Sequence, residues 1–197
     1  MTASLTKDQV LNEFRSCGAL LEGHFRLSSG RHSGHYLQCA RVLMNPVRAA
    51  RLAEATCAKI PTEVLALVDV VVSPAMGGII MGHEVGRALG KDALFLERPE
   101  GTFHLRRGFT LDPGAKVLMV EDVVTTGLSS REAIAAVARE GGEVIAECSL
   151  VDRSGGSADL GVPFFPLVAF DFPTYAKADI PEELARVAVT RPGSRKE

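Results

Sequence analysis

The chain has 197 residues, a length that suits a single domain able to bury a sizeable core. Hydrophobic residues make up 46% and charged residues 23%, as in ordinary globular proteins, and the formal net charge is -2. This balance excludes a general electrostatic attraction to nucleic acid or to a membrane surface, so any anion site has to be local.

The N-terminus and the cysteines indicate the compartment. The opening stretch MTASLTKDQVLNEF is polar and lacks the apolar core of a signal peptide. No run approaches the roughly 18 apolar residues of a membrane span. Four cysteines are scattered without a C-x-x-C pair, so neither a zinc site nor a disulfide framework is indicated. We therefore expect a cytoplasmic protein with reduced thiols and without membrane or nucleic-acid partners.

Two helix starts flank a glycine-rich segment in the N-terminal part. Thr6 and Gln9 have the spacing of a capping box, and Asn45 followed by Pro46 is typical of a helix start. Between them, residues 23–39 (GHFRLSSGRHSGHYLQC) carry short β-like runs around a Ser/Gly-rich centre. At the other end of the chain, residues 190–197 (TRPGSRKE) are expected to form a disordered tail.

Nearly all-apolar runs alternate with helical patterns through the middle of the chain. LVDVVV, KVLMV and VIAECSLV are typical of strands buried on both faces of a parallel sheet, and ALFLE is a further strand. IIMGHEVGRAL ends at Gly90, whereas SSREAIAAVARE begins with a Ser129–Glu132 capping box and stops at Gly141. The alternation predicts an α/β fold with a central, mostly parallel sheet flanked by helices.

The stretch VLMVEDVVTTGLSS (residues 117–130) is the strongest functional signal. We expect Glu121 and Asp122 in a loop after a buried strand, with residues 125–129 leading into a helix whose N-terminus can bind a phosphate. Carboxylates repel phosphate, so these two acids must face hydroxyl donors or positive charge. A ribose 5-phosphate meets both demands. The alternative is that the acids are the polar end of a buried strand and Thr-Thr-Gly an ordinary turn.

Patterns for a P-loop, a dinucleotide site and a metal site are each incomplete in this sequence. Residues 86–92 (GRALGKD) have one residue too few between the glycines for a phosphate-binding P-loop and lie at the end of a helix. No G-x-G-x-x-G follows a strand, so a dinucleotide site is not expected. His32 and His35 lack a third metal ligand, and we interpret them as loop histidines.

The stretch 117–130 resembles the phosphoribosyl-pyrophosphate signature of type I phosphoribosyltransferases. Three further stretches are similar to the orotate phosphoribosyltransferase family: residues 23–39, VVSPAMGGI (71–79) and LVDRSGG (150–156). The resemblance implies the type I phosphoribosyltransferase fold as a single domain. It also implies a small N-terminal hood over residues 1–44 and a mobile loop over residues 98–108.

The resemblance also assigns roles to individual positions. Arg153 would pair with the carboxylate of orotate, to which a guanidinium fork is matched. Arg98 would contact phosphate across the interface of a homodimer. The remaining implied contacts are the acids and phosphate loop for the phosphoribosyl group (Glu121, Asp122, Val123, Val124, Thr125, Thr126, Gly127, Leu128, Ser129), a pyrophosphate loop (Ser73, Pro74, Ala75, Met76, Gly77, Gly78) and further orotate contacts (Thr125, Ser29, Gly30, Arg31).

The chain departs from the family pattern in its lysines. The family commonly has lysine where Ser28 stands, another within the pyrophosphate loop, and more in the mobile loop, where Arg98 is here followed by PEGT. His104, Arg106 and Arg107 lie in the same excursion and are the candidates to replace them in catalysis, together with Glu121 and Asp122. The alternative makes Arg106 and Arg107 a solvated hairpin edge.

The implied reaction joins orotate to 5-phosphoribosyl 1-pyrophosphate, giving orotidine 5'-monophosphate and pyrophosphate. Mg²⁺ would bridge substrate oxygens and water, with no direct protein ligand. Two alternatives stay open. One is a phosphoribosyltransferase for another base, and the other is a regulator that binds phosphoribosyl pyrophosphate without turning it over, which the missing lysines favour.

Overall fold

The computed structural model describes residues 5–27 and 30–191. Its strands form two sheets, a larger one of six strands and a smaller one of four. Ser28, Ser29 and residues 192–197 of the expected tail lie outside the described residues. The strands are β1 (Leu20–Arg26), β2 (His32–Leu37), β3 (Val70–Pro74), β4 (Ala93–Glu97), β5 (His104–Leu105), β6 (Lys116–Val124), β7 (Glu143–Asp152), β8 (Phe164–Ala169), β9 (Thr174–Tyr175) and β10 (Val189–Thr190).

The larger sheet confirms the predicted α/β architecture. Its order is β5-β4-β3-β6-β7-β8, and all neighbours pair in parallel except β4 and β5. The helices that connect and cover the sheets are α1 (Lys7–Ser16), α2 (Cys39–Leu43), α3 (Pro46–Cys57), α4 (Thr62–Leu65), α5 (Gly78–Leu89), α6 (Leu128–Arg139) and α7 (Glu182–Ala185).

Hydrophobic side chains cover both faces of the larger sheet. Successive residues of β6 point to opposite faces. Leu118 joins the cluster that contains Leu52 of α3 and Met81 of α5, whereas Met119 joins the cluster with Val137 of α6. The all-apolar strands of the sequence are therefore explained by burial on two sides, which leaves the carboxyl edge of the sheet for polar chemistry.

Local signals at the helix ends were mostly predicted correctly. Thr6 Oγ1 accepts a hydrogen bond from the Gln9 amide at 3.2 Å, and the Thr6 amide donates in return to the Gln9 side chain at 2.8 Å. Asn45 Oδ1 accepts from the Arg48 amide at 3.0 Å. Helix α5 ends at Gly90, whose φ of 64° needs a glycine-like backbone.

The predicted start of α6 was wrong. The residue before its first turn is Gly127, with a φ of 72°, and the Ser129–Glu132 capping box does not form. Glu132 instead makes an ion pair with Arg98, which lies 34 positions earlier in the chain. The helix begins at Leu128, so Ser129 lies inside the first turn and not at the cap position.

The predicted end of the central strand was also wrong. Strand β6 continues through Glu121 and Asp122 to Val124, because β7 pairs with it as far as Val124 opposite Asp152. The two acids are thus strand residues rather than loop residues. Only the stretch from Thr125 onward forms the turn into α6.

The smaller sheet combines both ends of the described chain, in the order β10-β1-β2-β9. The β-like runs predicted in residues 23–39 form the β1–β2 hairpin. His32 and His35 lie on β2, so their interpretation as loop histidines was wrong. His32 is buried and its Nδ1 lies 2.8 Å from Nε2 of His24, which explains it as a structural residue. Among the described residues, no helix is long and apolar enough to cross a membrane.

Candidate active site

The predicted pyrophosphate loop and the acid pair meet at the carboxyl edge of the larger sheet. Residues 73–78 follow from β3 into α5, and Asp122 lies near the end of the neighbouring β6. A Cβ atom on Gly77 would lie 2.7 Å from Asp122 Oδ1 and 2.9 Å from Oδ2. The bare glycine therefore lets the loop backbone lie directly beside the carboxylate. Met76, next to it, is exposed.

Both acids sit in surroundings that disfavour their ionised forms. Burial raises the pKa of Glu121 well above its ordinary value, and the nearby carboxyls of Asp122 and Glu147 raise it further. Hydrogen bonds from the Asp122 amide and from Ser129 oppose this rise without cancelling it. Burial also raises the pKa of Asp122, although the Val123 amide donates to its Oδ1 at 2.9 Å. A positive charge or hydroxyl donors placed against this pair would be stabilised.

The phosphate loop opens α6 with accessible donors. Thr125, Thr126, Leu128 and Ser129 are exposed, whereas Gly127 is buried against the side chain of Leu160. Gly127 has no side chain that could cap the helix, and the Leu128 amide makes only a long contact of 3.4 Å to Thr126 Oγ1, so the first turn of α6 can offer amides to an anion. The hydroxyl-rich loop and the helix terminus together bring backbone and hydroxyl donors to one place, as an anion site requires.

Arg153 is positioned by the end of β7. Its backbone amide donates to the Val124 carbonyl at 2.8 Å, which fixes the residue beside the end of β6. The guanidinium carbon lies 5.7 Å from the ring centroid of Phe172. Its Nε is buried and has no hydrogen-bond acceptor among the described residues.

The surroundings of Arg153 join it to the acid pair. Burial lowers the pKa of Arg153, while Cys39 and Tyr36 favour its charged form. Burial is the main cause of the raised pKa of Tyr36. The nearby Asp122 raises this pKa further, whereas Arg153 lowers it. A half-buried cation with an unused donor therefore lies near the acids, and a planar carboxylate would complement it.

The other predicted orotate residues are placed differently. Gly30 is exposed, with a φ of 79°. Arg31 is tied to β9, because its Nε donates to Thr174 Oγ1 at 2.9 Å and its Nη2 donates to the Thr174 carbonyl at 2.6 Å. Ser29 lies outside the described residues. Arg31 thus has a clear structural partner in the smaller sheet.

The segment of residues 98–108 folds back along the edge of the larger sheet. After a 3-10 turn at Pro99–Gly101, β5 pairs antiparallel with β4 through Leu105 and His104. Arg106 and Arg107 both bind Glu97, at 3.3 Å and 2.5 Å. Arg98 stacks over Phe103 at 4.0 Å from the ring centroid. In this conformation the two arginines lie directly after β5 and are paired with Glu97.

Three residues near the site were missed by sequence reasoning. Tyr36 and Phe172 surround Arg153, and their role follows only from the folding of distant segments onto one another. Glu147 lies fully buried on β7 beneath the acid pair. A single acid within the apolar run VIAECSLV was a signal that could have found Glu147.

Comparisons with known proteins agree with this geometry. A solved orotate phosphoribosyltransferase from Aeropyrum pernix superposes with a TM-score of 0.68 and 28% identity, covering 82% of this chain and 93% of that chain. The fold is thus that of the type I phosphoribosyltransferases.

Curated relatives show to which family within this class the chain is similar in sequence. Orotate phosphoribosyltransferase from Erythrobacter litoralis is 73% identical over 97% of this chain and 99% of its own length. The protein of the same name from Novosphingobium aromaticivorans is 68% identical over 97% and 98%. No family model matches the chain. The chain belongs to the orotate phosphoribosyltransferase family.

Proposed function

We infer that the chain is a pentosyltransferase of pyrimidine biosynthesis. It joins orotate to 5-phosphoribosyl 1-pyrophosphate and releases orotidine 5'-monophosphate and pyrophosphate. Family membership supports the reaction, and one observation in this molecule carries the choice of base. The half-buried guanidinium of Arg153, with its Nε lacking an acceptor among the described residues, suits the carboxylate that orotate has and adenine or uracil lacks.

The phosphoribosyl group fits between the acid pair and the phosphate loop. The 5-phosphate takes the amides at the start of α6 and the hydroxyls of Thr125 and Thr126. The ribose diol then faces Glu121 and Asp122. In support, these carboxyls have raised pKa values, so both gain from hydroxyl donors brought against them.

The same acids assist the chemical step. As the bond between C1 and pyrophosphate breaks, the ribose ring acquires positive charge. Two carboxyls held in a buried site can stabilise that charge more strongly than water can. Arg153, next to them, orients the base so that its nitrogen approaches C1.

Mg²⁺ is proposed as the cofactor, carried by the substrate. Among residues 5–27 and 30–191, no group of three or more His, Cys, Asp or Glu side chains could hold a metal ion by itself. The ion would be held by oxygens of pyrophosphate and ribose and by water. When bound, Mg²⁺ neutralises charge on the leaving pyrophosphate.

Residues 98–108 are proposed as a closing loop that excludes water. Gly101 and Gly108 have φ values of 86° and 77°, and the side-chain-bearing residues Glu100 and Arg107 share this left-handed region at 54° and 59°. Such backbone is disfavoured for residues with a side chain, so other loop conformations are energetically accessible. Closure of this loop would move Arg106, Arg107 and His104 toward the pyrophosphate.

A homodimer is proposed as the working form. Large apolar side chains are exposed at the start of α3 and in the first turn of α5, two helices that pack together: Val47 is 79% exposed and Ile80 43%. Exposed apolar surface of this kind is typical of interaction sites. Arg98 would then act on the phosphate of the partner's site. The four free cysteines suit the reducing cytoplasm as the place of action.

One assay tests the function. The protein is mixed with Mg²⁺, phosphoribosyl pyrophosphate and either orotate, adenine, xanthine or uracil, and pyrophosphate release is measured. We expect pyrophosphate release with orotate and with none of the other three bases. Release with another base would assign a different transferase. Binding of phosphoribosyl pyrophosphate without release in any mixture would identify a regulator.

A further inference from the structure

A buried carboxyl group lies directly behind the phosphate loop. Glu147 of β7 is 0% exposed, and it pairs across the sheet with Met119, two residues before Glu121 on β6. Residues opposite each other and two apart share one face, so Glu147 and Glu121 both point toward α6. Ser130, in the first turn of α6, donates its hydroxyl to Glu147 Oε1 at 2.6 Å. The carboxyl thus connects the acid pair to the helix that receives the phosphate.

The second oxygen of this carboxyl is not satisfied. Glu147 Oε2 is buried and has no hydrogen-bond partner among the described residues. An ionised carboxylate would leave a charged oxygen without a donor, whereas a neutral acid that accepts from Ser130 at Oε1 leaves an uncharged hydroxyl at Oε2, which is less costly to bury than a charge. The geometry favours the protonated form.

The groups around Glu147 do not supply a compensating positive charge. Glu121 faces it from β6, Ser130 from α6, and Phe164 lies opposite it on β8. The adjoining Cys148 thiol has its pKa raised well above the usual value by burial and stays neutral. Burial raises the pKa of Glu147 to about 7, and the Ser130 hydrogen bond only partly opposes this. No cationic side chain of the described residues contributes to that balance.

We propose that Glu147 is a positioning residue whose proton controls the phosphate loop. As a neutral acid it holds Ser130 and the first turn of α6 in place without adding charge. As a carboxylate it places a buried negative charge behind the loop, which weakens binding of the substrate's 5-phosphate. This inference rests on the proposed function, since it concerns the phosphoribosyl pyrophosphate site of the same reaction.

The test compares pH profiles of KM and kcat for phosphoribosyl pyrophosphate between pH 5.5 and 9. In the unaltered chain, KM should rise on the order of tenfold through an apparent pKa near that of Glu147, about 7, with a smaller change in kcat. Glu147→Gln, which cannot ionise, should abolish that rise. Ser130→Ala removes the hydrogen bond that favours ionisation, so it should move the rise to higher pH.

The control is Glu143→Gln, which removes one carboxylate from the exposed start of the same strand, where Glu143 pairs with Lys116. It should leave the profile unchanged, and any titration of the substrate is common to all variants. An identical pH dependence of KM in Glu147→Gln and the unaltered chain would overturn the proposal. Failure of the proposed function is distinct, because it would show as no orotate-dependent pyrophosphate release at any pH.

Discussion

Under the proposed function, Arg153 is the residue that favours a ligand with a carboxylate. Its guanidinium is partly desolvated, stacked near Phe172 and within electrostatic range of Tyr36, yet its Nε has no acceptor among the described residues. Leaving a buried charged donor unpaired is costly, and a site tolerates this where a ligand supplies the partner. A neutral base could not.

The first prediction concerns this residue. Arg153→Ala should weaken orotate binding by roughly 1.5–3 kcal/mol, the usual worth of hydrogen bonds to a charged group. Arg153→Lys keeps the charge but loses the planar fork, so it should recover only part of the loss. Binding can be measured by calorimetry in the presence of a product-like ribose phosphate.

Arg186→Ala is the matched control, because it removes an exposed arginine whose ion pair is with Glu182, one helical turn away. It should bind orotate like the unaltered chain. Unchanged orotate affinity in Arg153→Ala would remove the structural argument for orotate and leave only the relatives' names to support it.

The junction between β6 and α6 depends on the properties of a single residue. A strand that carries two acids must turn within three residues into a helix that presents bare amides. Gly127 makes this possible, because its φ of 72° is open to glycine and a Cβ there would meet Leu160 Cδ2 at 2.6 Å. The element therefore depends on one glycine for both conformation and packing.

The second prediction separates the effect of backbone conformation at Gly127 from the effect of packing. Gly127→Ala and Gly141→Ala both place a side chain on a left-handed backbone, but nothing lies within 4 Å of a Cβ at Gly141. Gly141→Ala should cost about 1–2 kcal/mol of unfolding free energy. Gly127→Ala should cost more, because the clash is added, and should also raise KM for phosphoribosyl pyrophosphate. Urea unfolding and steady-state kinetics measure the two effects. Equal stability of the two variants would contradict the packing argument.

Protonation of buried groups links the site to the stability of the whole molecule. Burial raises the pKa of Glu147 from 4.5 to about 7, so the folded chain holds this proton more tightly than the unfolded chain. The resulting stabilisation is complete below pH 4.5 and is lost as the pH rises through about 7. A difference of this size corresponds to about 3 kcal/mol.

The third prediction follows from this loss of stability with rising pH. Because the amide introduced by Glu147→Gln stays neutral at every pH, this variant should match the unaltered chain in unfolding free energy near pH 4.5 and exceed it by about 3 kcal/mol at pH 8 and above. Urea titrations at several pH values provide the comparison. Glu143→Gln should show no such pH-dependent gain, since that side chain is largely exposed. A gain that did not vary with pH would point to packing instead of protonation.

The sequence by itself determined the features that local patterns encode. Two-sided apolar runs specified the parallel strands. Thr6, Asn45 and Gly90 marked helix ends, and the stretch 117–130 indicated a buried strand that turns into a helix. These signals succeed because periodicity and capping are properties of a few neighbouring residues.

Only the tertiary structure decided what depends on distant partners. Pairing with β7 extended β6 through the acids, packing around Gly127 accompanied a helix start before Ser129, and β9 and β10 completed the smaller sheet from the other end of the chain. Glu147 joined the site in the same way, through Ser130 and Glu121. Hydrogen bonds, burial and charge act through space, so groups far apart along the chain set both the end of a strand and the proton affinity of a carboxyl.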